Sequence, residues 1–204
     1  MPGLVLSMLA SSLVAATPAS PEPWFEFKDY PMQAFEKQWE GVTKFELLIA
    51  PDGSIASCKV TESSGHEILD QKTCFLASKR AKFRPAHGPS GELTYGVYRS
   101  QAVWVFPERK MIGANPGPDL EVSVNKLPEG TIDPPIVKLA YAVDPQGNPS
   151  SCSLMRFTPA QPESLVEVGC KELLQSIPRT PVVTPTGQPV TAVKTAAVKF
   201  NAGR

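Results

Sequence analysis

The sequence predicts an α+β fold made of two small, similar units in tandem. Two segments, APDGSIASCKV at residues 50–60 and DPQGNPSSCSL at residues 144–154, share the pattern Pro-x-Gly-x-x-x-x-Cys. With a shift of two residues, the same alignment pairs Cys74 with Cys170. Because Pro, Gly and Cys at fixed spacing reflect backbone requirements, we interpret the halves as a duplicated unit, each large enough for its own core.

Residues 1–19 are predicted to be a signal peptide. Residues 4–16, LVLSMLASSLVAA, are apolar and uncharged, and TPASPEP follows them. This stretch is too short to span a bilayer about 30 Å thick, but it matches the apolar core of a signal peptide, with cleavage expected after Ala16 or Ala19. No positive charge precedes it, so a buried or disordered apolar tail is the alternative. Export would place the protein in the periplasm.

The first unit is predicted to span residues 24–106 and to begin with a helix and a hairpin. A short helix over residues 32–40 is expected to end at Gly41, because glycine commonly follows the last turn of a helix. Residues 42–50 alternate apolar and polar side chains, PDG provides a turn, and residues 54–62 are expected to return antiparallel.

A second helix and a last strand complete the predicted first unit. The helix is expected from about His66 to Lys82, with Ser63 and Ser64 as its caps and FRPA after its end. The last strand is predicted over residues 93–106, LTYGVYRSQAVWVF.

Residues 120–204 are predicted to be a second, degenerate unit, joined to the first by a linker at residues 107–119. Thirteen of the 22 prolines lie from Pro116 onward, which argues against long helices there. The hairpin is nevertheless repeated, and one helix is expected before Pro178. Its apolar positions have helical spacing and are Val166, Cys170, Leu173, Leu174 and Ile177.

The four cysteines are expected to form two disulfide bonds. Alternation places Ala56, Cys58 and Val60 on one face of a strand, and Cys74 falls in the helix that must cover this face. Buried free thiols are the alternative, whereas a zinc site is poorly supported because the sequence has two histidines and no C-x-x-C pair. The predicted pairs are Cys58–Cys74 and Cys152–Cys170.

Charge and motif content favour a protein without enzymatic or nucleic-acid-binding function. The 20 basic and 20 acidic residues leave no net field to attract nucleic acid or an anionic membrane. The run from Ser64 to Glu67, SGHE, contains a hydroxyl, an imidazole and a carboxylate. Adjacent residues at a helix start point in different directions, however, and no G-x-S-x-G motif accompanies them. We therefore predict no catalytic residue, no metal and no cofactor.

The first unit contains the short motifs YP, EG, PDG, SSG, LD and FRPA in this order. Together they resemble the periplasmic C-terminal domain of the energy transducer TonB. The resemblance covers residues 30–106, and it extends to residues 120–200 only through the internal repeat. It is carried by Tyr30, Pro31, Ala34, Glu40, Gly41, Pro51, Asp52, Gly53, Val60, Ser63, Ser64, Gly65, Leu69, Asp70, Phe83, Arg84, Pro85 and Ala86.

The resemblance implies that each unit is a three-stranded antiparallel sheet covered by one or two helices. It also implies a domain that binds extended segments of outer-membrane receptors or other envelope proteins, in connection with TonB-dependent transport. The last strand of such a sheet is an edge with unpaired backbone groups, which accept an extended peptide by strand addition. The predicted partner-binding residues are Gln101, Ala102, Val103, Trp104 and Val105.

Two alternatives to an incoming peptide stay open. The edge could pair with the strand at residues 192–200, either within one molecule or across a homodimer. The protein could also be a structural envelope scaffold whose two units pack on each other or on a larger assembly. An edge covered by the second unit would favour the scaffold.

Overall fold

The computed structural model describes residues 13–20, 23–108, 117–155 and 158–203. Most of the predicted signal peptide, residues 1–12, and the centre of the predicted linker, residues 109–116, lie outside the described residues. The helices are α1 (Met32–Glu36), α2 (Glu67–Arg80) and α3 (Glu163–Ser176), and a single 3-10 turn spans Phe27–Asp29. The strands are β1 (Thr17–Pro18), β2 (Gly41–Ile49), β3 (Ile55–Glu62), β4 (Phe83–Arg84), β5 (Ala86–His87), β6 (Leu93–Trp104), β7 (Leu120–Val124), β8 (Ile136–Val143), β9 (Pro149–Leu154), β10 (Val182–Val183), β11 (Pro189–Val190) and β12 (Ala192–Ala202).

The main strands of the two units form one continuous sheet. In the first unit β2 lies between β3 and β6, and in the second β8 lies between β9 and β12, with antiparallel pairing throughout. The units meet where β12 runs parallel to β6, with Ala192 opposite Tyr95 and Val193 opposite Gly96. The strand order is β3-β2-β6-β12-β8-β9. The predicted α+β class is confirmed.

The helices α2 and α3 cover opposite faces of this sheet. In β8, Leu139 and Tyr141 belong to the buried cluster under α3, whereas Ala140 and Ala142 belong to the cluster that contains the core of the first unit. Successive strand residues point to opposite faces, so each cluster occupies its own face. The two units are therefore related by an approximate twofold rotation about an axis parallel to the strands. Such a rotation keeps β6 and β12 parallel and places the helices of the two units on opposite faces of the sheet.

The first helix is shorter than predicted. It ends at Glu36, and the chain leaves the helix through Gln38, which has a positive φ of 53°. Gly41 is not a helix cap but the first residue of β2. A Cβ atom on Gly41 would lie 2.4 Å from the carbonyl oxygen of Ser64, so glycine is required there for close backbone approach.

The helix α2 lies within the predicted range, but its capping differs. Its N-cap is His66, without a side-chain cap bond. Ser63 and Ser64 were expected as caps, and their hydroxyls instead donate to the carboxylate of Asp70 at 2.5 and 2.8 Å.

The buried stripe of α3 includes the predicted Leu173, but its other two residues lie one position before the predicted Val166 and Cys170. Gly169 makes this possible, because a Cβ there would lie 3.3 Å from the Leu139 side chain and 3.4 Å from Phe200. The apolar pattern overlooked this glycine as a core position. The fully buried residues are Leu165, Gly169 and Leu173, and the expected Val166, Cys170, Leu174 and Ile177 are partly buried beside them.

Both predicted disulfide bonds are present, and each joins a hairpin strand to the helix that covers it. Cys58 of β3 bonds to Cys74 of α2, and Cys152 of β9 bonds to Cys170 of α3, with Cα atoms 5.6 Å apart in both. The expectation that Ala56 shares a face with Cys58 is wrong. A register shift between β2 and β3 turns Ala56 to the opposite face, where a β-bulge interrupts the alternation.

Residues 13–19 pack against the first unit. Leu13, Ala15 and Ala16 are buried, and β1 pairs antiparallel with β4. Signal-peptide cleavage after Ala16 or Ala19 stays a prediction. Cleavage after Ala19 would remove this whole segment from the mature chain, and cleavage after Ala16 would remove residues 13–16 and leave β1 in place. None of the helices in the described ranges combines the length and apolar character needed to cross a bilayer.

Candidate protein-binding edge

The motif residues near the start of α2 form a hydrogen-bonded corner around Asp70. The Asp70 carboxylate accepts bonds from Ser63 Oγ at 2.5 Å and from Ser64 N and Oγ at 2.9 and 2.8 Å. It also accepts a bond from Thr43 Oγ1 at 2.8 Å, which fastens α2 to β2. Burial alone would raise the pKa of Asp70, but these bonds favour the charged carboxylate and hold its pKa below the ordinary value.

The SGHE run has structural contacts at the same corner. Ser64 Oγ donates to Asp70 and also lies 3.1 Å from the His66 carbonyl oxygen. The His66 ring stacks on the Trp39 ring, with centroids 4.6 Å apart and planes 6° from parallel. Ser64 and His66 therefore hold the turn before α2 in place.

The PDG and FRPA motifs meet on the other side of the unit. Gly53 has a φ of +82°, and a Cβ there would lie 2.5 Å from the Phe83 carbonyl oxygen. The hairpin turn thus packs directly on the segment that follows α2. The motifs that carry the family resemblance are concentrated in these two contact regions, which hold β2 and β6 in place.

One side of β6 is largely unpaired within the described chain. The inner side of β6 pairs with β2 from Gly96 to Trp104. On the outer side β12 pairs with Tyr95 and Gly96 only, and β7 lies beside the following part of β12. Among the described residues, no strand pairs with the outer side of β6 from Val97 to Trp104. β12 thus meets β6 away from the predicted site at residues 101–105.

The five predicted edge residues differ in what they offer a partner. Ala102 and Trp104 face α2 and are buried, and Trp104 Nε1 donates to Thr73 Oγ1 at 2.9 Å. Val103 faces away from α2 and is 36% exposed. The Oε1 atom of half-buried Gln101 is buried and accepts no hydrogen bond from the described residues. The edge therefore offers backbone groups and the Val103 side chain, while Trp104 anchors the strand.

Aromatic side chains cover the α2 face beside this edge. The Trp24 ring lies 5.8 Å from the ring of Tyr98, and the Phe25 ring lies 6.2 Å from that of Trp104. The rings of Trp24, Phe25 and Tyr98, together with Gln101, line a shallow depression along β6.

An exposed aromatic cleft lies beyond the end of β6. It has a volume of about 320 Å³ and is lined by Phe27, Phe35 and Phe106. Phe27 is 47% and Phe35 is 44% exposed. This cleft was not predicted, because its signal in the sequence is a local excess of aromatic residues around a 3-10 turn, which no periodic pattern indicates.

A second cavity, of about 420 Å³, lies at the fork between β6 and β12. Arg99 bridges the units there, with Nε 3.1 Å from Glu46 Oε2 and Nη1 3.2 Å from Asp119 Oδ1. Burial, aided by nearby Arg99, lowers the pKa of Lys194, and burial raises the pKa of Tyr141 to about 12. The Arg99 pairs thus join Glu46 of β2 to the residue before β7, and no sequence motif indicated them.

Comparison with protein families supports the resemblance. Residues 27–97 match the family described as Gram-negative bacterial TonB protein C-terminal. The match spans about a third of the chain and lies wholly within the first unit. It supports the predicted resemblance to this family for this segment. A comparison with curated proteins finds no match.

Proposed function

We propose that this protein is a non-enzymatic periplasmic module that binds extended segments of outer-membrane receptors or other envelope proteins. The binding surface is the outer side of β6, at residues 101–105. The observation that carries the proposal is the open outer side of β6 in the described chain. A peptide added there would pair with free backbone groups, and its alternate side chains would provide selectivity.

The residues of this edge suit an added strand. The segment from Ala102 to Phe106, AVWVF, carries no charge. The edge strand β3, by contrast, exposes Lys59 and Glu62, and charges of this kind discourage pairing at an edge. An apolar side chain of the incoming peptide would fit the aromatic cleft lined by Phe27, Phe35 and Phe106.

A structural scaffold is the second candidate, and the continuous sheet favours it. The parallel pairing of Tyr95 and Gly96 with Ala192 and Val193 makes the units one body. If the two units served only to pack on each other, the rest of the outer side of β6 would bind no segment of another protein.

The first experiment maps the partner with a photo-crosslinking residue at Val103. A chain with the same crosslinker at Lys59 on β3 is the matched control. In envelope extracts from the source cells, we expect Val103 to crosslink to extended segments of envelope proteins and Lys59 to give no such products. The crosslinked segment is then synthesised as a peptide, and its affinity for the intact protein is measured.

The second experiment uses Val103→Pro to remove one backbone donor of β6. This variant should lose binding of the peptide while both disulfides stay formed, and Lys59→Pro should retain it. In the unsubstituted protein, hydrogen exchange of residues 101–105 should slow when the peptide is added. Equal peptide affinity in Val103→Pro and the unsubstituted protein would contradict strand addition and favour the scaffold.

A further inference from the structure

The N-terminal residues 13–19 are bound to the first unit as an added strand. Val14 N donates to His87 O at 3.1 Å, and His87 N donates to Val14 O at 2.9 Å. Ala19 N donates to Lys82 O at 2.7 Å, and β1 pairs with β4 between these bonds. The segment therefore forms an antiparallel ladder along residues 82–87, at a position distinct from the outer side of β6.

The side chains of this segment lie in a groove that exists because the residues lining it are small. Ala16 lies against Gly96, where an added Cβ would come within 2.5 Å of the Ala16 Cβ. Leu13, Ala15 and Ala16 are 4%, 7% and 5% exposed. They belong to the same buried cluster as Ala86, Ala140, Ala142 and Val193, which come from both units.

The geometry points to a second peptide-binding groove, formed by residues 82–87, Gly96 and the small side chains of β8 and β12. Its ligand is an extended segment of another protein with the pattern Leu-x-Ala-Ala, and residues 13–19 of this chain occupy it as an internal stand-in. The predicted signal-peptide cleavage, after either Ala16 or Ala19, would remove Leu13, Ala15 and Ala16 and so uncover the apolar part of this groove. An uncovered apolar surface of this kind is typical of a binding site. The inference does not depend on the proposed function of the β6 edge.

The test pairs a larger residue in the groove with a smaller one in the ligand, in the full chain produced without export and oxidised. Gly96→Ala should expel Ala16, so the amides of Val14 and His87 should exchange at least tenfold faster. Adding Ala16→Gly in the same chain should restore slow exchange. Gly117→Ala is the matched control, because a Cβ at Gly117 meets nothing within 4 Å.

The second arm uses synthetic peptides as probes for binding from outside. Fluorescent LVAGTPA should bind the Gly96→Ala chain at least tenfold more tightly than LVAATPA, the natural sequence of residues 13–19. The Gly117→Ala chain, whose own segment stays in place, should bind neither. Val103→Pro added to Gly96→Ala should leave LVAGTPA binding unchanged, which separates this groove from the β6 edge.

Several results would overturn the inference. Exchange at Val14 and His87 that is equally slow in Gly96→Ala and Gly117→Ala would show that Ala16 does not depend on the groove. Equal binding of LVAATPA and LVAGTPA by Gly96→Ala, or binding of neither while the segment is released, would show that the groove does not select an extended ligand.

Discussion

Asp70 illustrates how a single side chain holds the first unit together without belonging to its binding surface. Its position in the LD motif could be predicted from the sequence, as part of the family resemblance. Its partners could not, because Thr43 lies 27 residues away on β2 and the nearby Ser63 and Ser64 match helix caps. Local spacing indicates where a helix starts, but it does not show which partly buried carboxylate accepts hydrogen bonds from the neighbouring hydroxyls.

Replacing Asp70 with Asn should destabilise the protein by about 2 kcal/mol, because it leaves buried hydrogen-bond donors poorly matched. Urea unfolding of the oxidised protein measures the change. Glu67→Gln is the control, since Glu67 lies on the same helix, is exposed and bonds only to Gln71 among the described side chains. Its effect should stay within about 0.5 kcal/mol. Equal losses in the two variants would contradict a special role for Asp70.

The same carboxylate should contribute to acid sensitivity. The Arg80 hydrogen bond lowers the pKa of Asp29, and the pKa of Asp70 is also lower than in an ordinary carboxyl group. Groups with a lowered folded-state pKa stabilise the fold above about pH 4, and this contribution is lost as the pH falls through the folded-state values. The free energy of unfolding should therefore drop below about pH 4, and less steeply in Asp70→Asn. Parallel pH profiles for the two proteins would exclude the contribution from Asp70.

At the scale of elements, the hairpins and long helices could be predicted, whereas their fine geometry could not. Alternation and helical spacing are local, so they identified β2, β3, α2 and α3 and the strand-to-helix position of each cysteine pair. The bulge at Ala56 and the buried position of Gly169 depend on contacts between elements. The short β7 had no signal, because it is stabilised by pairing with β12 and by bonds such as that from Ala197 N to Asp119 Oδ2 at 2.8 Å.

Each disulfide should stabilise its own strand-to-helix contact. Replacing both Cys58 and Cys74 by Ala, or both Cys152 and Cys170, should each cost about 3 kcal/mol, as loops of these lengths predict. Urea unfolding measures both losses. Peptide mapping of the oxidised protein should link Cys58 to Cys74 and Cys152 to Cys170. Crossed linkage between the units, or free thiols at all four positions, would contradict the pairing.

At the scale of the whole molecule, two similar units become one body because their last strands pair in parallel. Pairing of β6 with residues 192–200 was one alternative from the sequence, but its parallel direction and its restriction to Tyr95 and Gly96 were not predicted, because such a short nonlocal contact leaves no local pattern. The junction also explains why the α2 side of the second unit carries small residues. Ala140 and Ala142 belong to the first unit's buried cluster and not to the one under α3. The face of β8 that points away from α3 is therefore covered and does not face solvent.

A charged residue at position 193 tests this junction. Val193 belongs to β12 but is fully buried in the cluster of the first unit, so a charge there would disrupt both units together. Val193→Asp should destabilise the protein by about 3 kcal/mol or more, because an unpaired charge would be buried. Val183→Asp is the control, since Val183 lies on β10 and is 51% exposed; it should change stability by about 0.5 kcal/mol or less.

The cooperativity of unfolding tests the same point without a substitution. All three tryptophans, Trp24, Trp39 and Trp104, lie in the first unit, whereas hydrogen exchange of α3 reports on the second. If the sheet unfolds as one body, tryptophan fluorescence and exchange in α3 should give the same denaturant midpoint, and Val193→Asp should shift both equally. Val193→Asp that moves the fluorescence midpoint but leaves that of α3 in place would mean that the parallel contact between β6 and β12 does not couple the two units.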